Sequence, residues 1–258
     1  MHDDRAGGSP TVSIVMPAHN EEALLEGSVR QLSSGLLERD VSFEIIVVEN
    51  GSVDATADIA HRLASAMPSV RADTLADADY GSAIRQGILC ARGELVVLFD
   101  VDYFDLVFLM RAIDELSLSR PGRSDIVLGV KRGPGSQDGR SVLRRFGTAV
   151  FSTLLRRAFG LRVVDTHGMK AMRRSVVLPI LEECTSRKDL FDTELVLRAD
   201  RRGVPIAQIP VAVRELRPSR SPIARRAVRS IVGLVRLRIT LWRQDGQADT
   251  IEAVSTAR

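Results

Sequence analysis

Two carboxylates two residues apart, Asp100 and Asp102, follow the apolar run Glu94-Leu95-Val96-Val97-Leu98-Phe99. In an extended segment at a strand end, that spacing puts both side chains on one side of the chain. The chemistry it suits is a single hard cation, Mg2+ or Mn2+. Such an ion takes one or two carboxylates and fills its other positions with diphosphate oxygens and water. Taken alone, an Asp-x-Asp pair more often does turn or helix-cap work, so its surroundings must decide.

The elements around it follow a βαβ rhythm. Val12-Ser13-Ile14-Val15-Met16, closed by Pro17, predicts a buried parallel strand, and Asn20-Glu21-Glu22 opens a helix. Phe43 to Val48 predicts a second strand, followed by Glu49-Asn50-Gly51-Ser52 and a helix start at Asp54-Ala55-Thr56. A helix over about Ser82 to Ala91 then leads into the strand that ends at Asp100. Strands alternating with helices predict an α/β fold, a doubly wound, mainly parallel sheet with ligands at the carboxyl ends of its strands. After Ile126-Val127-Leu128, the stretch from Gly133 to Gly139 has the composition of a lid.

Composition bounds the partners. Residues 1–128 carry 10 basic against 21 acidic side chains, and residues 129–258 carry 26 against 12, so a net charge of only +3 hides a strongly polarised chain. An acidic half suits divalent cations, and a basic half suits phosphates or anionic lipid. The basic half contains two amphipathic segments, 142–161 and 223–243. In the second, Val228, Ile231, Val232, Val235, Ile239 and Trp242 share one stripe among arginines. Neither holds about 18 uncharged residues in a row, so each suits a membrane interface, or packing on protein, rather than a membrane span. One Trp, two Tyr and eight Phe, with no interleaving of aromatic and basic residues, argue against a nucleic-acid partner. Cys90 and Cys184 stand far apart, without metal-ligand spacing. The acidic start Met1-His2-Asp3-Asp4 precedes no apolar leader, so a cytoplasmic location is expected. Residues 1–10 and 244–258 read as disordered tails.

Three segments together, Val15-Met16-Pro17-Ala18-His19-Asn20-Glu21-Glu22, Val47 to Thr56 and Phe99-Asp100-Val101-Asp102, resemble glycosyltransferase family 2. The second half is similar to polyprenyl-phosphate and dolichyl-phosphate sugar synthases in four places. These are Gly129-Val130-Lys131-Arg132, Asp165-Thr166-His167-Gly168-Met169-Lys170, Phe191-Asp192-Thr193-Glu194-Leu195, and Ile209-Pro210-Val211 followed by Arg217-Pro218-Ser219-Arg220. The chain departs from the family at Glu49-Asn50, where a pair of aspartates is commoner, and in Gly81 to Gly87, which lacks a lysine often found there.

The resemblance implies a GT-A catalytic domain over 11–215, a basic amphipathic acceptor- and membrane-facing segment over 216–243, and inverting transfer of a hexose from a UDP- or GDP-sugar to a lipid-linked phosphate. Pro17, Asn20 and Glu21 would flank the nucleoside, Glu49 or Asn50 would read base or ribose, and Asp100 with Asp102 would bind Mg2+ or Mn2+. Lys131, Arg132 and Lys170 would neutralise phosphates, Lys170 with Arg217 and Arg220 on the acceptor side. A phosphate acceptor needs no base at pH 7, whereas a hydroxyl acceptor would draw on Asp165, Asp192 or Glu194, the last two being also a natural helix N-terminal acid pair. The expected place of work is the inner face of the plasma membrane, at an anionic lipid surface, with a second copy or a membrane protein left open as partner. Rival readings are a soluble hydroxyl acceptor, a sugar-phosphate nucleotidyltransferase, which would carry a Gly-rich basic loop after the first strand, and a noncatalytic relative.

Overall fold

The computed structural model describes residues 10–117, 122–130, 137–138, 153, 166, 168–213 and 233–241. The continuous apolar runs become the strands of a parallel core. β1 (Val12–Ala18) is buried at every position, and β2 (Phe43–Asn50) at all but its first. This is what a strand covered by helices on both faces requires. β3 (Val70–Leu75), β4 (Leu95–Leu98), β5 (Ile126–Val130), β7 (Lys170–Arg173) and β8 (Ile206–Pro210) complete a seven-stranded sheet in the order β3-β2-β1-β4-β7-β5-β8. β6 (Gln137–Asp138) pairs in parallel with β9 (Ala212–Val213) as a separate two-stranded sheet.

The helices follow from burial periodicity. α1 (Leu25–Leu37) sinks Leu25, Val29, Leu32 and Leu36, spaced three and four apart, into the core. At about 2 kcal/mol for each buried side chain, that stripe outweighs the helix's lack of a side-chain cap. It begins later than Asn20-Glu21-Glu22 suggested, because Asn20 adopts φ 54° and turns the chain before the helix can start. α2 (Thr56–Ala66), α3 (Tyr80–Cys90), α4 (Leu106–Glu115), α5 (Arg174–Glu183) and α6 (Phe191–Arg201) follow. Asp79 caps α3 through Ser82 N, and Asp105 caps α4 through Val107 N and Phe108 N.

One strand breaks the expected parallel rhythm. β7 runs antiparallel to both neighbours, with Lys170 opposite Leu98 on β4 and Leu128 on β5. Because it enters where its neighbours end, the residues just before it arrive at the carboxyl edge of the sheet. That edge is also where the strand order reverses between β1 and β4, the place where open α/β sheets bind ligands.

The chain divides into two compact units, residues 1–139 with 163–216, and residues 140–162 with 217–258. The predicted helix over 142–161, apart from residue 153, and most of the predicted lid lie outside the described residues. In the second unit, residues 233–241 form a helix that buries Leu234, Leu237 and Leu241. Val235 and Ile239, expected on the apolar stripe, share a face as predicted, but that face is open, at 54% and 44% exposure. Leucines spaced three and four apart outcompete them for the buried side. No helix among the described residues is long and apolar enough to cross a membrane.

Candidate functional site

The loops leaving β1 and β2 are locked together by their own side chains. Asn50, buried, donates from Nδ2 to Ala18 O at 3.0 Å, and His19 Nδ1 lies 2.8 Å from Asn50 O. Asn20 N donates to Ser52 Oγ at 3.0 Å, while Asn20 Oδ1 accepts from Val53 N at 2.9 Å. Glu21 N donates to Thr56 Oγ1 at 2.7 Å, and Glu49 takes Ser52 N on Oε1 at 2.5 Å. Pro17 stands just past the end of the β1–β4 ladder, which stops at Val15 and Leu98. Five residues expected to face the nucleoside are therefore gathered at one edge. Asn20, Asn50 and Glu49 also hold that edge in shape.

Asp100 and Asp102 lie beside it, but not on an extended strand. Asp100 and Tyr103 exchange backbone hydrogen bonds of 3.2 and 3.1 Å, closing residues 100–103 into a turn. Val101, 2% exposed, anchors the turn in the core, and Phe99 N ties its lead-in to Val15 O. Both aspartates are half-buried. Asp100 Oδ1 accepts a hydrogen bond of 3.1 Å from the hydroxyl of Tyr80, the first residue of α3. Two hard carboxylates on a fixed turn fit Mg2+ or Mn2+. Among the described residues no group of three or more His, Cys, Asp or Glu could hold a metal by itself.

β7 delivers the second cluster. Lys170 is 1% exposed, and its ammonium lies 3.0 Å from Asp192 Oδ2 and donates to Gly168 O at 2.9 Å. Asp192, at the second position of α6, is 2% exposed, and its Oδ1 is buried with no hydrogen-bond partner among the described residues. Thr166 and Thr193 share a hydrogen bond of 3.0 Å that fastens the segment before β7 to α6. Two of the expected site residues are engaged within the protein. Lys170 turns inward and pairs with Asp192. Glu194, fully buried, has both oxygens engaged, Oε2 by Thr185 N and Ser186 N, and Oε1 by the Arg198 guanidinium at 2.7 and 2.8 Å. With no free lone pair directed at a substrate, Glu194 shapes the 185–186 loop and is poorly placed as a base.

The first turn of α3 joins the two clusters. Asp79 Oδ1 accepts from Lys188 N at 3.0 Å, and Gly81 lets the chain at 188–191 come so close that an added Cβ would stand 2.7 Å from Phe191 Cβ. Asp79, Tyr80 and Gly81 thus bind the segment leading to Asp192 and the carboxylate of Asp100 to one helix end. In the sequence Gly81 opens a segment compared with the family, and Asp79 stands as an N-cap three residues before Ser82; nothing marked Tyr80. Asp165, Lys131, Arg132, Arg217 and Arg220 lie outside the described residues.

Residues 13–180 match the model of the family described as glycosyl transferase family 2. The chain is 32% identical over 206 residues to the glycosyltransferase AglD of Haloferax volcanii, covering 78% of this chain but only 32% of that protein's length. It is 28% identical over 253 residues to a dolichyl-phosphate beta-glucosyltransferase of Trichomonas vaginalis, covering 92% of this chain and 75% of the relative. Its fold superposes, with a TM-score of 0.65 and 24% identity over 89% of this chain and 80% of the other, on glucosyl-3-phosphoglycerate synthase of Mycobacterium tuberculosis in complex with Mn2+, UDP-glucose and phosphoglyceric acid.

Proposed function

This chain belongs to glycosyltransferase family 2, and from that premise we propose that it transfers a hexose, with inversion, from a UDP- or GDP-sugar to a polyprenyl phosphate at the cytoplasmic face of a membrane. The observation that carries the reading is the juxtaposition at one sheet edge. The interlocked β1 and β2 loops, the Asp100–Tyr103 turn and the Lys170–Asp192 pair meet where the strand order reverses. The similarity to a dolichyl-phosphate beta-glucosyltransferase supports the lipid acceptor.

The chemistry is a displacement at the anomeric carbon. An acceptor phosphate oxygen forms the new bond, and the bond to the diphosphate breaks with its electron pair leaving on the diphosphate. Asp100 and Asp102 would hold a divalent cation, which when bound neutralises charge on that leaving group. The β1 and β2 loops orient the nucleoside, so the site acts by positioning and by electrostatic stabilisation. The open Val235 and Ile239 face, flanked by Arg236 and Arg238, supports contact with anionic lipid.

One observation favours a second acceptor class. Among the described residues the buried Asp192 Oδ1 has no partner, and a hydroxyl acceptor could give its proton there. Calorimetry with UDP- and GDP-sugars, with and without Mn2+, followed by turnover on polyprenyl phosphate or on phosphoglyceric acid, separates the readings. Metal-dependent binding that vanishes in Asp102→Ala, with turnover on the lipid, is expected. Unchanged Mn2+-dependent affinity in that variant refutes the assignment of the site, and turnover on phosphoglyceric acid alone selects the hydroxyl acceptor.

A further inference from the structure

We propose that Tyr80 is a positioning residue for Asp100, fixing the plane of its carboxylate and so setting the affinity of the site for a divalent cation with a nucleoside diphosphate. The inference rests on reading Asp100 and Asp102 as the cation and diphosphate site.

The two residues are 20 apart in sequence and belong to different elements, yet the Tyr80 hydroxyl donates to Asp100 Oδ1 at 3.1 Å. The backbone of Asp100 is committed to Tyr103 on both its N–H and its carbonyl. The backbone bonds do not set the side chain's two torsions, of which the last, which turns the plane of the carboxylate, is broad and roughly two-fold. A donor held at one oxygen restricts that rotation and leaves the other oxygen with a defined direction. Partners of this kind orient ligating carboxylates, and removing them weakens metal affinity about 10- to 100-fold.

Tyr80 can do this only if its own base is rigid, and it is. Asp79 caps the helix at Ser82 N and takes Lys188 N with the same oxygen. Arg85, one turn on, donates to Leu181 O at 2.8 Å and Cys184 O at 3.0 Å. Gly81 packs directly on Phe191, and Gly87 on Val15 of β1. The phenol therefore extends from a helix end that is fastened to β1, to α5 and to the start of α6. It brings a hydroxyl to a pair of like charges without adding a charge of its own.

The test is Tyr80→Phe, which keeps the ring and removes only the hydroxyl. Mn2+ is titrated into protein saturated with UDP, and separately with GDP, and followed by calorimetry and by the electron paramagnetic resonance of free Mn2+. The variant should bind Mn2+ about tenfold more weakly, equivalent to about 1.4 kcal/mol. Its melting temperature and its nucleotide affinity in EDTA should stay at the wild-type values. In turnover the Mn2+ concentration for half-maximal rate should rise while kcat at saturating Mn2+ is retained. In an Asp100→Ala background, Tyr80→Phe should change nothing further. Mn2+ affinity within twofold of wild type overturns the proposal, as does equal loss of melting temperature and EDTA-insensitive nucleotide binding, which would mark a merely structural tyrosine. Failure of the wild type to bind Mn2+ with either nucleotide would remove the reading of Asp100 and Asp102 as well, so the two failures are told apart by the wild-type titration.

Discussion

Replacing Lys170 by methionine removes half of an ion pair in which one partner is 1% exposed and the other 2%. Methionine matches the length of the aliphatic stem, so packing changes little. The Asp192 carboxylate, however, loses the neighbour of Oδ2 while Oδ1 already has none. An uncompensated buried charge destabilises by about 3–5 kcal/mol, and the lost bond to Gly168 O adds about 1 kcal/mol. At roughly 2–4 °C per kcal/mol for a chain of this size, Lys170→Met should melt on the order of 10 °C or more below wild type. Adding Asp192→Leu should restore most of that loss, because replacing a whole buried pair with apolar groups is often neutral or stabilising. Thermal and urea unfolding of both single variants and the double variant complete the cycle. Lys170→Met within about 1 kcal/mol of wild type, or single effects that simply add in the double variant, would refute the pairing. A stable double variant without turnover would then show that the pair serves the reaction and not the fold alone.

Burial alone would raise the carboxyl of Glu44, but hydrogen bonds from Ser13, Arg71 and Arg92 N outweigh it and hold it below the ordinary glutamate value of 4.5. A depressed folded value means stability present above the unfolded value and lost as pH falls through the folded one. Glu44→Gln should therefore be less stable than wild type at pH 7, by about 1–3 kcal/mol, with the gap closing below about pH 4.5 in urea unfolding. A gap independent of pH would contradict this. Gly81→Ala should push the 188–191 segment away, since the new Cβ would meet Lys188 N at 2.8 Å. A loss of about 1–3 kcal/mol in stability, together with lower kcat, is expected, and wild-type values for both would show that the junction gives way freely.

The strands were legible where burial on both faces forces continuous apolar runs, as in Val12–Ala18 and Phe43–Asn50. β3 escaped because its Arg71 and Asp73 interrupt the apolar pattern. β7 escaped because four residues, Lys170 to Arg173, with a cation at each end do not look like a central strand. Its cations are tolerated only because Asp192 meets Lys170 and because Asp125 and Glu94 meet Arg173. Residue type suggested a cation site at Asp100 and Asp102, whereas their geometry could not be read from the sequence. The turn depends on Tyr103 returning two hydrogen bonds, and a spacing of two carries no record of that. Lys170 was read as a phosphate ligand from its charge and its place in the family-like segment Asp165 to Lys170, which carry no record of its burial. Its burial depends on Asp192, on a different element far along the chain.

The antiparallel strand in the middle of the sheet also dictates an order of assembly. β3, β2, β1 and β4 come from residues 12–98 and can pair as soon as they exist, but the outer edge of β4 stays open until residues 170–173 have been made. Through that interval the nascent chain presents Leu95-Val96-Val97-Leu98 as an unpaired apolar edge, the kind that recruits other chains. Closing it requires a contact across residues 99–169, and long-range contacts of this sort slow folding. Lys170, which arrives first, then waits for Asp192 before its charge can be buried. Completion of the sheet and completion of the site are thus one late event, and a fragment ending before β7 would lack both and expose a surface prone to aggregation.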